Sequence, residues 1–372
     1  MILLIISHTP HYYNAENVLV SWGATAREID YLSILFDKVI HVAPLYSTLA
    51  PSSSLPYTAT KVEFRPIVPT GGPRWKDKLS VIIQAPATWR IVKKALRECD
   101  VFQFRAPTGM GVYMIPLLMV SSKKGWFKYA GNWVQNRPPF GYAVQRWLLK
   151  HTQRVVTING HWAGQKAMQL SFENPCLTQR EREEGMKALM GKDFSGKIDL
   201  VFVGRLEDAK GVRRILKMLA DPRIDNKILR IHFIGDGVRR LEYEKYAQRH
   251  CPQKVIFYGF LPKEEVNKIY AMSHIFLLPS TASEGFPKVV AEAANYGCIP
   301  VVSNVSCLSQ YIIHGQNGYV MDSLDKDCMV TLLNHIVKKG NLLNEIAHKA
   351  YHLAAAFTYQ RYTHRIAEEI LR

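Results

Sequence analysis

The feature that most constrains the fold of this 372-residue chain is a regular alternation of apolar and helical stretches in its carboxy-terminal half. Short apolar runs lie at 198–204, 229–235, 254–259, 274–280 and 298–303. Stretches with helical character separate them, at 211–220, 239–250, 263–272 and 287–296. Because the runs are mostly apolar rather than alternating, they predict strands covered by helices on both faces, as in a parallel sheet. Five such units predict a doubly wound α/β domain that binds ligands at the carboxyl ends of its strands.

The amino-terminal half follows the same plan less regularly. Predicted strands lie at 1–7, 38–44, 62–67, 100–107 and 154–160, and predicted helices at 25–36 and 85–99. We therefore predict two Rossmann-like, doubly wound parallel-sheet domains that face a central cleft. Their expected bounds are 1–175 for the amino-terminal domain, 176–197 for a charged junction, 198–355 for the carboxy-terminal domain and 356–372 for a final helix that packs back on the amino-terminal domain.

Composition and charge narrow the class of protein. Lys and Arg number 48 against 31 Asp and Glu, and residues 1–175 hold 20 of these cations against 9 acids. This basic half indicates an anionic partner, such as an acidic membrane surface, a nucleic acid or a phosphorylated substrate, or else it serves solubility alone. The six cysteines form no C-x-x-C pair or zinc spacing, and no apolar run reaches the ~20 residues of a membrane span. We expect a cytoplasmic protein that docks on a membrane at most.

The stretch FVGRLEDAKG (202–211) places two cations where a predicted strand ends and a helix begins. Gly204 ends the strand, Arg205 follows it, and Lys210 precedes the next helix. A helix amino terminus favours anions, one Arg side chain can bind two phosphate oxygens at once, and Lys adds a point charge. The pattern fits a phosphate site, and it fits an ordinary surface turn equally well.

A glycine-rich turn, FIGDG (233–237), follows the next strand. It lacks the G-x-G-x-x-G spacing of a dinucleotide site, so it does not indicate NAD. We expect only that the backbone at Gly235 approaches a ligand.

The stretch SEGFPKVVAEAANYG (283–297) carries two glutamates on either side of a predicted helix start. Pro287 suits the first helical position, which leaves the N–H groups of Lys288 and Val289 free to donate to an anion. Glu284 and Glu292 could each accept hydrogen bonds from vicinal hydroxyl groups, as carboxylates do in ribose recognition. The alternative is that both are solvated surface charges.

These stretches, together with residues 257–280, resemble glycosyltransferase family 4, whose members are retaining enzymes with the GT-B fold. The two glutamates that flank Gly-Phe-Pro, eight positions apart, are the most specific mark of the resemblance. The resemblance covers roughly residues 198–320 closely and the amino-terminal half only in architecture.

The resemblance implies a role for each matching residue. Arg205 and Lys210 would neutralise a diphosphate leaving group, Glu284 would hold the hydroxyls of the donor sugar, and Glu292 would hold the ribose. The remaining donor-binding residues would be Gly204, Gly235, Gly259, Phe260, Leu261, Gly285, Phe286, Pro287, Lys288 and Val289.

On the acceptor side, the family's glycine loop falls on SWGATARE (21–28), which has the single glycine Gly23 beside Trp22 where relatives have paired glycines. Arg105 stands where many relatives carry a histidine, and His161, His8 and His11 are further candidates. No apolar strand carries a D-x-D motif, so we expect no metal and no cofactor beyond the nucleotide-sugar substrate.

The sequence therefore predicts a metal-independent glycosyltransferase of the hexosyltransferase type, which uses a nucleoside-diphosphate sugar and acts on a growing polysaccharide or lipid-linked glycan. The alternatives are a sugar-nucleotide epimerase or hydrolase on the same scaffold, and a non-catalytic basic protein that binds a membrane or nucleic acid. No nucleic-acid motif is apparent. The segment KKGWFK (123–128), with Trp126 and Phe127 among lysines, suits a loop at an anionic membrane surface, and the alternative is an ordinary solvated loop.

Overall fold

The computed structural model describes residues 1–72 and 74–372, which form two compact units. The first unit comprises Met1–Asn174 and Tyr359–Arg372, and the second comprises Pro175–Thr358. Each unit is built around a parallel sheet, which confirms the predicted α/β fold class. No helix among the described residues is long and apolar enough to span a membrane.

The first unit contains a parallel sheet and a small antiparallel sheet. Its strands are β1 Ile2–Ile6, β2 His11–Tyr13, β3 Leu19–Trp22, β4 Lys38–Pro44, β5 Ser54–Pro56, β6 Val62–Ile67, β7 Val101–Ala106, β8 Lys124–Tyr129, β9 Val156–Ile158 and β10 Gln169–Ser171. Its α-helices before residue 174 are α1 Gly23–Leu32, α2 Trp75–Ile83, α3 Ala85–Glu98, α4 Gly111–Met119 and α5 Phe140–His151. Across the described residues, the seven strands of the parallel sheet follow the order β10-β9-β8-β7-β1-β4-β6.

Strand β1 shows why the amino-terminal run is apolar throughout. Leu4 and Ile6 pack in the core on one face of the sheet, whereas Leu3 and Ile5 pack in the core on the other face. Successive side chains of a strand point to opposite faces, so a strand covered on both sides must be apolar at every position.

The prediction that 123–128 is a loop at a membrane surface is wrong. These residues form most of β8, which pairs with β7 and β9 inside the parallel sheet. Trp126 and Phe127 are both fully buried, one in each core of the unit. The lysines that made the segment resemble a surface loop occupy the strand ends: Lys124 is exposed, and the buried Lys128 pairs with Glu28.

The stretch 21–28, expected to carry a glycine loop, is a direct junction of a strand and a helix. Strand β3 ends at Trp22 and helix α1 begins at Gly23, with no loop residue between them. A Cβ atom at Gly23 would lie 2.9 Å from the carbonyl oxygen of Ser53, so the close approach of the chain to β5 explains the glycine.

The second unit contains one parallel sheet. Its strands are β11 Ile198–Val203, β12 Ile228–Ile234, β13 Val255–Gly259, β14 Ile275–Leu278, β15 Ile299–Ser303 and β16 Tyr319–Met321. Its helices are α6 Gln179–Met190, α7 Val212–Leu219, α8 Arg240–His250, α9 Lys263–Met272, α10 Lys288–Asn295, α11 Leu308–Tyr311, α12 Lys326–Val337 and α13 Leu342–Ala354. The six strands found among the described residues follow the order β13-β12-β11-β14-β15-β16.

The stretch 176–197 carries helix α6, which belongs to this second unit. Thr178 begins the helix with a capping box, in which its hydroxyl accepts from the N–H of Glu181 and the Glu181 carboxylate accepts from the N–H of Thr178.

Helix α14, Tyr359–Ile366, is followed by a π-helical turn, Ala367–Leu371, and both belong to the first unit. Tyr362 and Ile366 of α14 are buried in a hydrophobic core of the first unit. The ring of Tyr359 stacks on that of Tyr31 in α1, with 4.1 Å between the ring centroids.

Candidate active site

Three glycines mark the carboxyl ends of neighbouring strands in the second unit. Gly204, Gly235 and Gly259 follow or end β11, β12 and β13, and all three have positive φ angles, of 153°, 128° and 73°. A Cβ atom at Gly235 would lie 2.0 Å from the carbonyl oxygen of Gly204, so only glycine fits there. The backbone at Gly204 and Gly235 is half-exposed and can be approached by a ligand, whereas Gly259 is buried and a Cβ atom there would lie 2.5 Å from the guanidinium of Arg240.

Lys210 and Glu284 form an ion pair at this same edge of the sheet. Lys210 ends a 3₁₀ turn, Asp208–Lys210, and its side chain is mostly buried, while that of Glu284 is half-exposed. Their two turns are joined because the N–H of Thr281 donates to the carbonyl of Ala209 at 2.7 Å. This backbone hydrogen bond holds the two turns that carry the pair next to each other.

Gly211 makes that junction possible. It adopts a left-handed conformation with φ of 95°, and a Cβ atom there would lie 2.4 Å from the carbonyl oxygen of Pro279. Any larger residue would separate the two turns and pull Lys210 away from Glu284.

Arg205 lies apart from this pair. Its side chain is 73% exposed and its Nη1 lies 2.8 Å from a carboxylate oxygen of its neighbour Glu207. In the part of the chain that the structure describes, no ion pair joins Arg205 to Glu284. The structure thus brings one of the two predicted cations to the glutamate and leaves the other on the surface.

Helix α10 begins one residue later than predicted. Pro287 is the N-cap and Lys288 the first helical residue. Just before the helix, the N–H of Glu284 donates to the hydroxyl of Ser306 at 3.2 Å, and Ser306 has an unusual positive φ of 55°. A non-glycine residue in this conformation is strained, and such strain is concentrated at functional sites.

Glu292 does not behave as a solvated surface charge. It lies on α10 with its side chain mostly buried, and a carboxylate oxygen is 3.6 Å from Nζ of Lys263. Lys263 is the first residue of α9, directly after the turn that contains Phe260 and Leu261. Sequence reasoning missed Lys263, because a lysine at the start of a helix carries no signal that it points inward.

Lys263 joins three parts of the second unit. Its ammonium donates to the carbonyl of Cys176 at 2.6 Å and lies 2.8 Å from a carboxylate oxygen of Glu181 in α6. Burial by itself would lower the pKa of Lys263, but the carboxylates of Glu292 and Glu181 outweigh this and raise it above its usual value. Lys263 is therefore a buried cation that holds the Glu292 carboxylate in place.

The remaining donor-side residues divide into exposed and packed groups. Phe260 is exposed and Leu261 is half-buried. Phe286 is buried and stacks on Phe357 with 4.4 Å between centroids, so its side chain packs within the unit and only its backbone is left for a ligand. Gly285 and Pro287 are likewise buried, and Val289 is half-buried.

The residues predicted on the acceptor side lie in the first unit and do not form one cluster there. Trp22 is 56% exposed at the start of α1, and His161 is exposed in the turn that follows β9. Arg105, near the end of β7, is instead buried.

Arg105 belongs to a buried polar cluster that the sequence did not reveal. Its Nη2 lies 3.1 Å from a carboxylate oxygen of Glu28, and its Nε donates to the side-chain oxygen of Gln103 at 2.8 Å. The same Glu28 oxygen pairs with the ammonium of Lys128 and accepts from the hydroxyl of Tyr362 at 3.4 Å. One carboxylate thus joins residues of α1, β7, β8 and α14.

Two buried histidines beside β1 form a hydrogen-bonded chain that two neutral rings can satisfy. Nδ1 of His11 lies 2.9 Å from the carbonyl of Thr9 and donates to it, and in the neutral ring Nε2 then accepts from Tyr57 at 2.7 Å. The Tyr57 oxygen then accepts from Nδ1 of His41 at 2.7 Å, and Nε2 of His41 accepts from Ser7 at 2.8 Å. Burial lowers the pKa of His11 to about 4 and that of His41 well below its usual value, in agreement with this pattern.

Among the residues that the structure describes, no group of three or more His, Cys, Asp or Glu side chains is placed to hold a metal ion. The chemistry available at the strand ends of the second unit is a lysine–glutamate pair, a second buried glutamate and the amide groups of a helix start.

Comparison with known proteins shows which family model the second unit matches. Residues 191–353 match the family model described as Glycosyl transferases group 1. Over 160 residues the chain is 25% identical to a 2-deoxystreptamine glucosyltransferase of Streptomyces kanamyceticus, a match to 39% of this chain and 41% of that protein. It is 21% identical over 181 residues to a lipopolysaccharide 1,2-N-acetylglucosaminetransferase of Salmonella typhimurium, covering 46% and 47%. The chain thus spans less than half the length of these curated relatives.

Solved structures match the chain over its whole length. Anabaena Alr3699/HepE in complex with UDP has a TM-score of 0.71 at 16% identity and covers 100% of both chains. Sucrose-phosphate synthase from Thermosynechococcus elongatus has a TM-score of 0.73 at 14% identity, covering 99% of this chain and 98% of that one. Residues 191–353 therefore form a glycosyl transferases group 1 domain, and the chain has the GT-B fold.

Proposed function

We propose that this protein is a retaining, metal-independent hexosyltransferase, which moves a sugar from a nucleoside-diphosphate sugar to a hydroxyl group of a growing polysaccharide or a lipid-linked glycan. The Lys210–Glu284 pair carries the proposal, because it sets a fixed cation and a sugar-binding carboxylate side by side at the carboxyl ends of the strands.

In the proposed reaction, the bond between the anomeric carbon and the diphosphate oxygen breaks, and a bond to the acceptor oxygen forms. The acceptor hydroxyl loses its proton, and the nucleoside diphosphate leaves. Lys210, the amide groups at the start of α10 and, after a rotamer change, Arg205 stabilise the negative charge that develops on the diphosphate. Fixed charges aimed at a leaving group are commonly the largest catalytic contribution in such sites.

The two glutamates divide the donor between them. Glu284, half-exposed beside Lys210, accepts hydrogen bonds from the sugar, and Glu292 accepts them from the ribose. Lys263 is a positioning residue, since it touches Glu292 and no part of the donor in this assignment. Phe260 and Leu261 follow β13 beside the base.

On the acceptor side, Trp22 and His161 are the exposed candidates, and Arg105 acts indirectly through the buried cluster around Glu28. We place the protein in the cytoplasm, on the inner face of the membrane, where a lipid-linked acceptor would be found. The excess of Lys and Arg in residues 1–175 supports an anionic surface as a partner.

Two measurements test the donor assignment. Thermal unfolding with UDP, GDP and ADP, each as diphosphate and as sugar conjugate, identifies the base, because a bound ligand raises the melting temperature. UDP is tried first, since Alr3699/HepE was solved in complex with it. Incubation of the stabilising donor with acceptor glycans, in EDTA, then gives a glycoside whose anomeric configuration is read by NMR. Hydrolysis or epimerisation without an acceptor would replace the proposal with one of its alternatives, an inverted product would refute retention, and activity lost in EDTA would refute metal independence.

A further inference from the structure

A long segment of the first unit contains no acidic residue. Residues 101–172 include nine Lys or Arg and no Asp or Glu, whereas the chain average of 31 acids in 372 residues would give about six. The segment runs from β7 to β10. Any surface that it forms has no carboxylate of its own to neutralise its cations.

Helix α5, in the middle of this segment, carries large apolar side chains on its outer face. Phe140 is 85% exposed and Trp147 is 61% exposed, and their spacing of seven residues places them on the same side of the helix. Gln145 and Leu149, on the opposite side, are buried. Val134, 43% exposed in the turn before the helix, lines a surface groove with Trp147. We call Val134, Arg137, Phe140, Trp147 and Lys150 the α5 face.

Cations border these apolar side chains. Lys150 is exposed, with its Nζ 5.8 Å from the ring centre of Trp133, and Arg137 is exposed in the preceding turn. A groove of about 380 Å³ lies beside Lys150, lined by Trp133, Val134, Gln135, Ala143, Arg146, Trp147 and Lys150. Over residues 1–72 and 74–372, no carboxylate lies within ion-pair distance of Arg137 or Lys150.

We propose that the α5 face docks this protein on a bilayer that contains anionic lipids. Phe140 and Trp147 enter the interfacial region, while Arg137 and Lys150 contact headgroup phosphates. Aromatic side chains beside basic residues, with no acid nearby, are the composition that binds anionic interfaces. This inference deepens the proposed function, because a lipid-linked acceptor would lie in the same bilayer.

An anionic glycan is the competing occupant, since the groove has a tryptophan wall and cations. The geometry of Phe140 favours the bilayer. Phe140 does not line the groove and is almost fully exposed, so a sugar chain lying in the groove would leave it in water. A bilayer would cover Phe140 together with Trp147.

The test is sedimentation of the full-length protein with vesicles of phosphatidylcholine alone and of phosphatidylcholine mixed with phosphatidylglycerol. We expect binding to the mixed vesicles that weakens with added salt. Phe140→Ser with Trp147→Ser, and separately Arg137→Glu with Lys150→Glu, should each lower the partition coefficient about tenfold or more. Equal binding to neutral vesicles, or unchanged binding by either double variant, would overturn the proposal.

A matched control uses Leu241→Ser with Lys217→Glu, which removes one exposed apolar and one exposed basic side chain from the second unit. This variant should bind vesicles like the wild type. Binding of the wild type to a soluble anionic oligosaccharide, without binding to vesicles, would assign the surface to glycan instead. Nucleotide stabilisation is measured on every variant, so that lost docking with intact nucleotide binding refutes this inference alone. Docking without any nucleotide binding would refute the proposed function alone.

Discussion

The donor-side residues of the second unit and the buried cluster of the first unit are both charged sites at the ends of strands, yet they arise in different ways. Lys210 and Glu284 lie on two short turns, and each turn has a recognisable local sequence motif. Glu28, Arg105, Lys128 and Tyr362 come from four separate elements, and they meet only after the sheet, α1 and α14 have packed together. A functional site on turns can be read from local sequence, whereas a buried polar cluster is a property of the tertiary fold.

The largest effect on transfer activity should follow loss of the Lys210–Glu284 pair. Lys210→Ala removes the fixed cation beside the leaving group, and we expect transfer to fall by roughly 10²–10³-fold, as when one oxyanion-stabilising group is lost. Arg205→Ala should cost less, because Arg205 is exposed and paired with Glu207. The measurement is the initial rate of transfer with the donor that stabilises the protein.

Lys217→Ala, at an exposed position of α7, is the matched control for Lys210→Ala and should retain the wild-type rate. A Lys210→Ala variant with near-normal transfer and normal thermal stability would remove Lys210 from the site. A larger loss from Arg205→Ala than from Lys210→Ala would reverse the order of the two cations that their exposure indicates.

Substitutions in the buried cluster of the first unit should lower the unfolding free energy. Glu28→Gln leaves Arg105 and Lys128 as buried cations without their counter-charge, which we expect to cost about 3–5 kcal/mol of unfolding free energy. All seven tryptophans lie in the first unit, so urea unfolding followed by tryptophan fluorescence reports on that unit alone.

The exposed Glu16→Gln serves as the control for Glu28→Gln and should unfold like the wild type. If Glu28→Gln unfolds normally but loses transfer activity, the cluster belongs to the acceptor site rather than to the core. In that case both the donor-side residues and the buried cluster would serve function, and the two regions would no longer differ in role.

The sequence predicted the second unit well because its signals are local. All five predicted strands of that unit are present, since continuous apolar runs can only be buried strands or helices and the runs were too short for helices. The same reasoning missed β16, which has three residues, and misread β8, because Lys124 and Lys128 hid a buried strand. A lysine that pairs with a glutamate 100 residues away looks the same in sequence as one in water. Lys263 was missed for that reason, and so was the burial of Arg105.

The histidine chain of the first unit predicts a pH dependence. The pKa of His11 is lowered to about 4 in the folded protein, from about 6.5 when unfolded. The unfolded chain therefore binds the proton first, so the stabilisation is complete above pH 6.5 and is lost as the pH falls from 6.5 towards 4. The shift corresponds to about 3 kcal/mol. His41 acts in the same direction.

Tryptophan-monitored urea unfolding between pH 7 and pH 5 tests this, because carboxylates titrate mostly below that window. We expect the unfolding free energy of the first unit to fall with pH, and His11→Gln to make the dependence shallower. An unchanged slope in His11→Gln would mean that His11 titrates normally and that the hydrogen-bonded chain does not keep its ring neutral.

The smallest effect tests whether the buried Lys263 also supports the donor site through its ion pair with Glu292. Lys263→Met should weaken binding of the nucleoside diphosphate by about tenfold, since Glu292 loses the cation that fixes it. The loss should be smaller for the 2′,3′-dideoxy nucleotide, which offers Glu292 no hydroxyl in either protein. Glu181→Gln, which alters the other ion pair of Lys263, is the control and should affect both nucleotides equally. Isothermal titration of UDP and dideoxy-UDP against the three proteins provides the comparison. Equal losses of affinity for the two nucleotides in Lys263→Met would show that Lys263 only stabilises the unit. Sites on turns and clusters formed by packing would then be separate in this protein.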